Sequence, residues 1–281
     1  MSGTRADRFL MLLWHAFYSD EIGINHEAGP DLEAFSADLE TLGDHGWTIW
    51  PLDQALAALT AGNLPPKIVV LTADDGPIMD FEDFDHPQCG WQKSLDRRLR
   101  EFVAARGADP GHRPHVSSFV IASPEARAEM DSKLCGGMDV LSDRWWAAAA
   151  ASGRMGIENH SWDHNHPCLS RTCQRDGLGG DFALIDTEDE CRLEIDRASD
   201  YIECVAARRP RYFAYPFGQA SDYLRRHYLP THAARLGIEA GIGCDPEPVT
   251  RNSDRWFLPR YICGRDWRSR TDLERILSEA G

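Results

Sequence analysis

Short apolar runs alternate with helix-like segments along the whole chain. Ile68–Leu71 is apolar at every position, and Phe9–Phe17 is mostly so, which is typical of strands buried on both faces of a parallel sheet. The same criterion predicts five further strands, at Trp47–Trp50, His115–Ile121, Arg154–Glu158, Arg211–Ala214 and Ile238–Ile242.

Helices are predicted where apolar residues recur every three or four positions. The clearest is Asp31–Leu42, which begins with an acidic residue and is followed by Gly43 and Gly46. The other predicted helices are Asp53–Leu59, Leu95–Ala105, Ser142–Ser152, Thr187–Ala206 and Thr271–Ala280. The alternation predicts an α/β fold, and about seven strands with intervening helices predict an incomplete or distorted β/α barrel. We expect residues 1–281 to form one domain.

Charge and composition narrow the range of partners. The net charge of −15 disfavours nucleic acid and anionic membranes, which attract clustered Lys and Arg. No apolar stretch reaches the ~18 residues of a membrane span, and Phe9–Trp14 is too short for the core of a signal peptide. We therefore expect a cytoplasmic protein that binds a neutral, cationic or small substrate.

The eight cysteines form no CxxC pair and no regular framework. Cys168 and Cys173 are close enough in sequence to bridge, but a chain of this length needs no disulfide for stability. Free thiols are the expected state.

Four ionisable residues follow two of the predicted strands. Asp74 and Asp75 come directly after Ile68–Leu71 and Thr72-Ala73, and His160 and His164 follow the strand at Arg154–Glu158. The carboxyl ends of strands in α/β folds are where active sites form, so these side chains are expected to converge. Carboxylate and imidazole ligands suit a catalytic Zn²⁺ or a related divalent ion.

Two adjacent carboxylates require different roles. We assign Asp75 to the metal and Asp74 to the base that removes a proton from the attacking water. Two histidines and one carboxylate also occur in the facial triad of non-haem iron oxygenases. The α/β pattern and the second aspartate favour hydrolysis instead.

The motifs resemble those of the polysaccharide deacetylase superfamily, also called NodB-homology or carbohydrate esterase family 4. Thr72-Ala-Asp-Asp-Gly76 is similar to its first motif, His160-Ser-Trp-Asp-His164 to its second and Phe213-Ala-Tyr-Pro-Phe-Gly218 to its third. The resemblance implies a distorted (β/α)7 barrel and metal-dependent hydrolysis of an N-acetyl or related acyl group. It also implies that the first aspartate is the base, and that the second aspartate and the two histidines are metal ligands.

The sequence departs from the family pattern at three places. Ala214 stands where many members have an Arg that orients the base, and we expect Arg260 to replace it. No His follows His232 to act as the general acid, so we propose His15, which matches the place of an early Tyr-His pair in the poly-N-acetylglucosamine deacetylase branch. The connection Pro77–Gln92 is longer than usual and includes Trp91.

Three aromatic residues are expected to contact substrate: Tyr215, Phe217 and Trp91. The sequence thus predicts a deacetylase that acts on an N-acetylated carbohydrate and uses one divalent ion, with Zn²⁺ favoured over Co²⁺, Ni²⁺ or Mn²⁺. Two alternatives stay open. One is a hydrolase of a small non-sugar amide or cyclic imide, and the other is a carbohydrate-binding barrel with impaired catalysis.

Overall fold

Two adjacent parallel strands made almost entirely of buried apolar residues lie at the centre of the fold. The computed structural model describes residues 5–16, 27–28, 30–87, 90–106 and 111–281. Within it, Leu10–Trp14 pair in register with Val69–Ala73, and all of these residues are buried. Both faces of the pair are covered by other elements, which explains why the two runs are continuous rather than alternating.

The strands are, in chain order, β1 Arg8–Trp14, β2 Thr48–Ile49, β3 Ile68–Ala73, β4 Phe84–His86, β5 Gly90–Gln92, β6 Val116–Val120, β7 Met155–Asn159, β8 Tyr212–Ala214, β9 Ala240–Ile242, β10 Val249–Thr250 and β11 Tyr261–Ile262. Across the described ranges, nine of them form one sheet in the order β10-β1-β3-β6-β7-β8-β9, with β2 beside β3 and β11 beside β1. β4 and β5 form a separate antiparallel hairpin. Most pairs are parallel, as the alternating pattern predicts.

The helices are α1 Asp31–Asp44, α2 Leu52–Ala61, α3 Leu95–Arg106, α4 Pro124–Leu134, α5 Trp146–Ser152, α6 Glu188–Cys191, α7 Arg197–Ala206, α8 Leu229–Leu236 and α9 Arg270–Ala280. Two π-helical segments, Arg192–Asp196 and Leu224–Tyr228, lead directly into α7 and α8. Single 3₁₀ turns lie at Ile78–Asp80, Phe182–Leu184 and Pro216–Gly218. In the part of the chain that is described, no helix has the length and hydropathy needed to cross a membrane.

Alternate residues of the central strands face two different cores. Leu10, Leu12 and Trp14 of β1 pack in a cluster with residues of the surrounding helices. Phe9 and Met11 belong to a second cluster, which lies between the strands. Because side chains alternate along a strand, every second residue after Met11 faces the space that this second cluster occupies.

The far edges of the sheet approach each other through a short segment. Leu258 forms a parallel bridge with Ile242 of β9, and Tyr261 of β11 pairs with Leu12 of β1. Arg260 therefore lies on the stretch that links the two edges. The sheet curls into a half-barrel, and the predicted distorted (β/α)7 fold class is confirmed.

The predicted elements that rest on strong apolar periodicity are confirmed within a few residues. Two helices were not predicted. The buried positions of α4 include Arg127 and Asp131, which interrupt any apolar stripe, and α8 carries a proline in its first turn. The connection Pro77–Gln92 is not an open loop but contains a 3₁₀ turn and the β4–β5 hairpin. Phe17, Gln88 and Cys89, which fall in these predicted segments, lie outside the described residues.

Candidate metal centre and active site

The side chains of the first motif are placed by the alternation along β3. Ile68 and Val70 face the compartment between the strands, and Thr72 and Asp74 continue that series. Asp75 follows with a φ of 71°, a conformation that L residues rarely adopt, and this turns its carboxylate toward the same space. At Gly76, also at positive φ, an added Cβ would lie 2.5 Å from Cγ1 of Val120, so a larger residue does not fit.

Asp75, His160 and His164 bring three potential ligand atoms together. Their donor atoms all lie within 4.8 Å of one another. Oδ1 of Asp75 is 3.7 Å from Nε2 of His160 and 3.6 Å from Nε2 of His164. These separations exceed a hydrogen bond but are close to the ~3.4 Å between two ligands that each bind zinc at about 2.1 Å with tetrahedral geometry. The donor set and its spacing therefore fit a divalent metal ion.

The two imidazoles are held in the state that a metal requires. Nδ1 of His160 donates to the carbonyl oxygen of Ala214 at 2.9 Å, which leaves Nε2 as the ring nitrogen that faces Asp75. Burial lowers the pKa of His160 and lowers that of His164 well below its ordinary value. Both rings are therefore neutral near pH 7, and a neutral imidazole is the form that binds metals.

Asp74 forms a bidentate ion pair with Arg260. Nη1 and Nη2 of Arg260 lie 2.8 and 2.6 Å from the two carboxylate oxygens, and its Nε donates to the carbonyl of Gly243. Burial alone raises the pKa of Asp74, but Arg260 and His160 outweigh it and lower the pKa below the ordinary value. Asp74 is therefore a carboxylate at neutral pH, and Oδ2 lies 3.7 Å from Nε2 of His160.

The pKa of Asp75 is shifted in the opposite direction. Burial and the negative charge of Asp74 raise the pKa of Asp75 to about 7. A bound cation acts in the other direction, because a metal favours the charged form of its ligand. The two adjacent aspartates thus differ in their pKa, which is lowered for Asp74 and raised for Asp75.

His15 lies at the carboxyl end of β1, two residues after Leu13 in the alternation. Its backbone N–H donates to Oδ2 of Asp31, and its Nδ1 is 4.0 Å from the same oxygen. Burial lowers the pKa of His15 to about 4, while the nearby Asp74 acts to raise it. The ring therefore lies close enough to Asp74 to feel its charge, and it is neutral at pH 7.

The prediction that Tyr215 lines the pocket is wrong. Tyr215 is fully buried, its hydroxyl donates to the carbonyl of Trp256, and its ring packs against Phe213 in a separate core cluster. The alternation along β8 explains this position, since Ala214 faces the barrel interior and its neighbour must face outward.

Phe217 and Trp91 occupy different parts of the surface. The ring of Phe217 lies edge-on to His164 with centroids 4.5 Å apart, and its side chain is 43% exposed, so it borders the opening of the metal centre. Trp91 is 62% exposed on the β4–β5 hairpin. Its contact with substrate stays a prediction.

Two residues near the centre were not found from the sequence. Ala214 contributes only a backbone carbonyl, which leaves no signal in a side-chain pattern. Glu194 contacts the histidine loop from the helix that leads into α7. A signal for Glu194 was present, because a charged residue interrupts the inward-facing series Cys191, Ile195 and Ala198.

Comparisons with known proteins agree with this geometry. Residues 119–239 match the family model described as polysaccharide deacetylase, a stretch that includes both histidines but begins after Asp74 and Asp75. A search of curated proteins gives no significant match. The solved structures with a similar fold include a polysaccharide deacetylase from Bacillus cereus, with a TM-score of 0.63, 15% identity and coverage of 96% of this chain and 69% of that chain.

Two further structures of similar fold are covered almost completely. The deacetylase PplD of Streptococcus pyogenes, solved with acetate, has a TM-score of 0.63, 17% identity and coverage of 98% of this chain and 99% of that chain. IcaB from Ammonifex degensii has a TM-score of 0.62, 18% identity and 99% coverage of both chains. At these identities the likeness concerns the fold, and the family model matches only residues 119–239. Residues 119–239 are thus similar to a polysaccharide deacetylase domain, and the chain shares the fold of solved deacetylases.

Proposed function

We propose that this protein is a metal-dependent hydrolase that removes an N-acetyl or related acyl group from a carbohydrate. The observation that carries the proposal is the donor set Asp75, His160 and His164 beside an ionised Asp74. A base and a metal centre at the carboxyl ends of strands in one parallel sheet are the two components that amide hydrolysis by water requires.

The metal would be held by one carboxylate and two neutral imidazoles, a set that suits Zn²⁺, with Co²⁺, Ni²⁺ and Mn²⁺ as alternatives. When bound, such an ion lowers the pKa of water and polarises an acyl carbonyl. The residues of the chain supply the remaining steps.

Asp74 is proposed to accept the proton of the water that attacks the acyl carbon. The fork of Arg260 fixes the carboxylate plane and keeps it ionised. The C–N bond then breaks, the acyl group leaves as a carboxylic acid, and the nitrogen needs one proton to leave as an amine. We propose that the proton taken by Asp74 passes to this nitrogen through His15, since Asp74 raises the proton affinity of His15.

The substrate is proposed to be an N-acetylated sugar or oligosaccharide. Phe217 offers a partly exposed aromatic ring beside the metal centre, against which the apolar face of a sugar ring can pack. The proteins of similar fold include a deacetylase in complex with acetate and a de-N-acetylase from Aggregatibacter actinomycetemcomitans, which supports acetate as the product.

The test is release of acetate from a panel of N-acetylglucosamine oligomers by protein loaded with Zn²⁺ or Co²⁺. We expect release that depends on the metal and stops with a chelator. Hydrolysis of small cyclic amides or imides without acetate release would support the non-sugar alternative. Sugar binding without hydrolysis would identify a binding barrel.

Arg260→Gln is expected to shift the pH dependence of catalysis. Without the guanidinium, burial still raises the pKa of Asp74. Only the weaker influence of the histidines then acts to lower it. An opposite charge typically lowers a carboxyl pKa by about 1–3 units, so the acidic limb of the kcat/KM profile should move to higher pH by that amount. Arg260→Lys is the matched control, because it keeps the charge without the bidentate fork. An unchanged limb in the Gln variant would contradict the role of Arg260.

The same ion pair makes a signed contribution to stability. The pKa of Asp74 in the folded protein lies below its unfolded value of about 3.9. The stabilisation is therefore present above that value and is lost as the pH falls through the folded-state pKa. Unfolding measured between pH 7 and pH 2 should show a smaller acid-induced loss in Arg260→Gln than in the parent protein.

His15→Ala is expected to slow the hydrolysis of amides more than that of activated aryl esters. An amine leaves only when it is protonated, whereas a nitrophenolate leaves without a proton. Metal content should be unchanged, because His15 is not among the three ligands. Equal losses of kcat on both substrate types would show that His15 binds substrate rather than delivering a proton.

A further inference from the structure

The loop that carries the second metal-binding histidine has an unusual backbone. Ser161, His164 and Asn165 all have positive φ, at 72°, 63° and 45°. Conformations of this kind cost on the order of 1–3 kcal/mol each and persist only where surrounding contacts impose them. The contacts that impose the conformation of this loop are hydrogen bonds from its backbone amides.

Five consecutive amides, from residue 161 to residue 165, all donate to side-chain oxygens. Three of the acceptors are local: Oδ1 of Asn159 accepts from Ser161, Oγ of Ser161 from His164, and Oδ1 of Asp163 from Asn165. The two amides between them, those of Trp162 and Asp163, donate to one oxygen of Glu194 at 3.0 and 3.3 Å. Glu194 is the acceptor that reaches the loop from a different element.

The local helix geometry explains how Glu194 reaches the loop. Glu194 lies in the π-helical segment Arg192–Asp196, between α6 and α7. A π-helical turn adds a residue to the helix and is frequently found at functional sites. The carbonyl of Ile195 in the same turn accepts from Nδ2 of Asn159 at 3.0 Å, so the turn is joined to the end of β7 as well as to the loop.

A second contact, between a cation and an aromatic ring, also joins this helix to the loop. The guanidinium carbon of Arg197 lies 3.7 Å from the ring centroid of Trp162. Glu194 itself is fully buried. A fully buried carboxyl is costly unless its oxygens are hydrogen-bonded, so its presence here requires a compensating benefit.

We propose that Glu194 is a positioning residue for the metal centre, presented by the π-helical turn so that it fixes the loop on which His160 and His164 lie. This inference rests on the proposed function only in taking the two histidines as ligands. Groups that orient the ligands of a metal typically change its affinity by about 10–100-fold when removed. Glu194 acts one step further out, through the backbone that sets the direction of His164.

A competing role as a second metal site is disfavoured by the contacts. Asp163, Cys173 and Glu194 have potential ligand atoms within 4.8 Å of one another. Both oxygens of Asp163, however, already accept from backbone amides, at Asn165 and Cys173, and one oxygen of Glu194 accepts two more. An ion there would share three of the four carboxylate oxygens with the amides that hold the loop, and only Oε1 of Glu194 accepts no bond from them.

The test compares Glu194→Ala with Glu194→Gln. Gln keeps a carbonyl oxygen that accepts both amides, so its Zn²⁺ Kd should stay within about threefold, whereas Ala should raise the Kd by about 10–100-fold. Glu190→Ala is the matched control. Glu190 is a buried glutamate on the same helix and accepts from the amide of Arg175 and the hydroxyl of Thr187, away from the loop. Its loss should lower the melting temperature and leave the Kd unchanged.

Amide hydrogen exchange supplies a readout that does not depend on metal or activity. The amides of Trp162 and Asp163 should lose protection in Glu194→Ala and keep it in Glu190→Ala. If Glu194→Ala does not fold, Glu194→Asp carries the same test, because the shorter side chain keeps the carboxyl group but cannot span the same distance.

The outcomes separate this inference from the proposed function. An unchanged Zn²⁺ Kd in Glu194→Ala, or two zinc ions per chain in the parent protein, would overturn the positioning role. If the parent protein binds no Zn²⁺, the proposed function fails, and the exchange of the two amides alone decides the role of Glu194.

Discussion

His160→Ala and His164→Ala should each abolish binding of the one divalent ion that we expect per chain. Each substitution removes one of three protein ligands whose donor atoms lie within 4.8 Å of one another, and two ligands do not form a stable catalytic site. Metal content after dialysis, measured by mass spectrometry, should fall from about one ion per chain to near zero. Thermal stability of the parent protein should fall with a chelator and that of the variants should not, since a ligand stabilises only the state that binds it.

The control for this experiment is His166→Ala. His166 lies in the same loop, half-buried, with its Nδ1 accepting from the amide of Cys168, and it is not among the three ligands. It should keep full metal content. Full occupancy in either ligand variant would refute the assignment of the metal centre.

Asp74→Asn should retain the metal and lose about 10²–10⁴-fold in kcat, the range typical for removal of a general base. The amide is nearly isosteric with the carboxylate but cannot accept the proton of water. The change also leaves Arg260 buried without its counter-charge, and breaking a buried ion pair costs about 3–5 kcal/mol. Turnover must therefore be measured well below the melting temperature of the variant.

Asp75→Ala is the matched comparison, because it removes the neighbouring carboxylate and should empty the site. If Asp74→Asn also loses the metal, Asp74 is a ligand. If it keeps both metal and rate, Asp74 is not the base. Either result would contradict the division of roles between the two aspartates.

Much of the fold could be predicted from the sequence because burial on both faces leaves a direct signal. The apolar runs that became β1 and β3 contain almost no polar residue. Helix α4 left no such signal, since Arg127 is buried and bonded to the carbonyl of Leu141 and to Asp143. Contacts of that kind form only after distant segments meet.

The candidate site divides in the same way. Asp74 and His160 could be located because residues at strand ends face a common edge. The contact of Arg260 with Asp74 joins positions 186 residues apart, and only the absence of the usual Arg pointed to it. The position of Tyr215 was predicted wrongly because a shift of one residue along a strand moves the side chain to the other face of the sheet. Glu194 was missed because its partners are backbone amides.

The ion pair between Arg260 and Asp74 also governs the order in which the protein becomes functional. All three proposed metal ligands precede residue 165, but the cation that keeps Asp74 ionised lies on the segment joining β9 to β1. During synthesis, the three proposed ligands emerge first, Glu194 and Ala214, which hold the histidines in place, emerge next, and the cation that keeps Asp74 ionised emerges last. On the proposed function, hydrolysis would depend on completion of the barrel, because a chain cut before Leu258 would lack the cation that keeps Asp74 ionised.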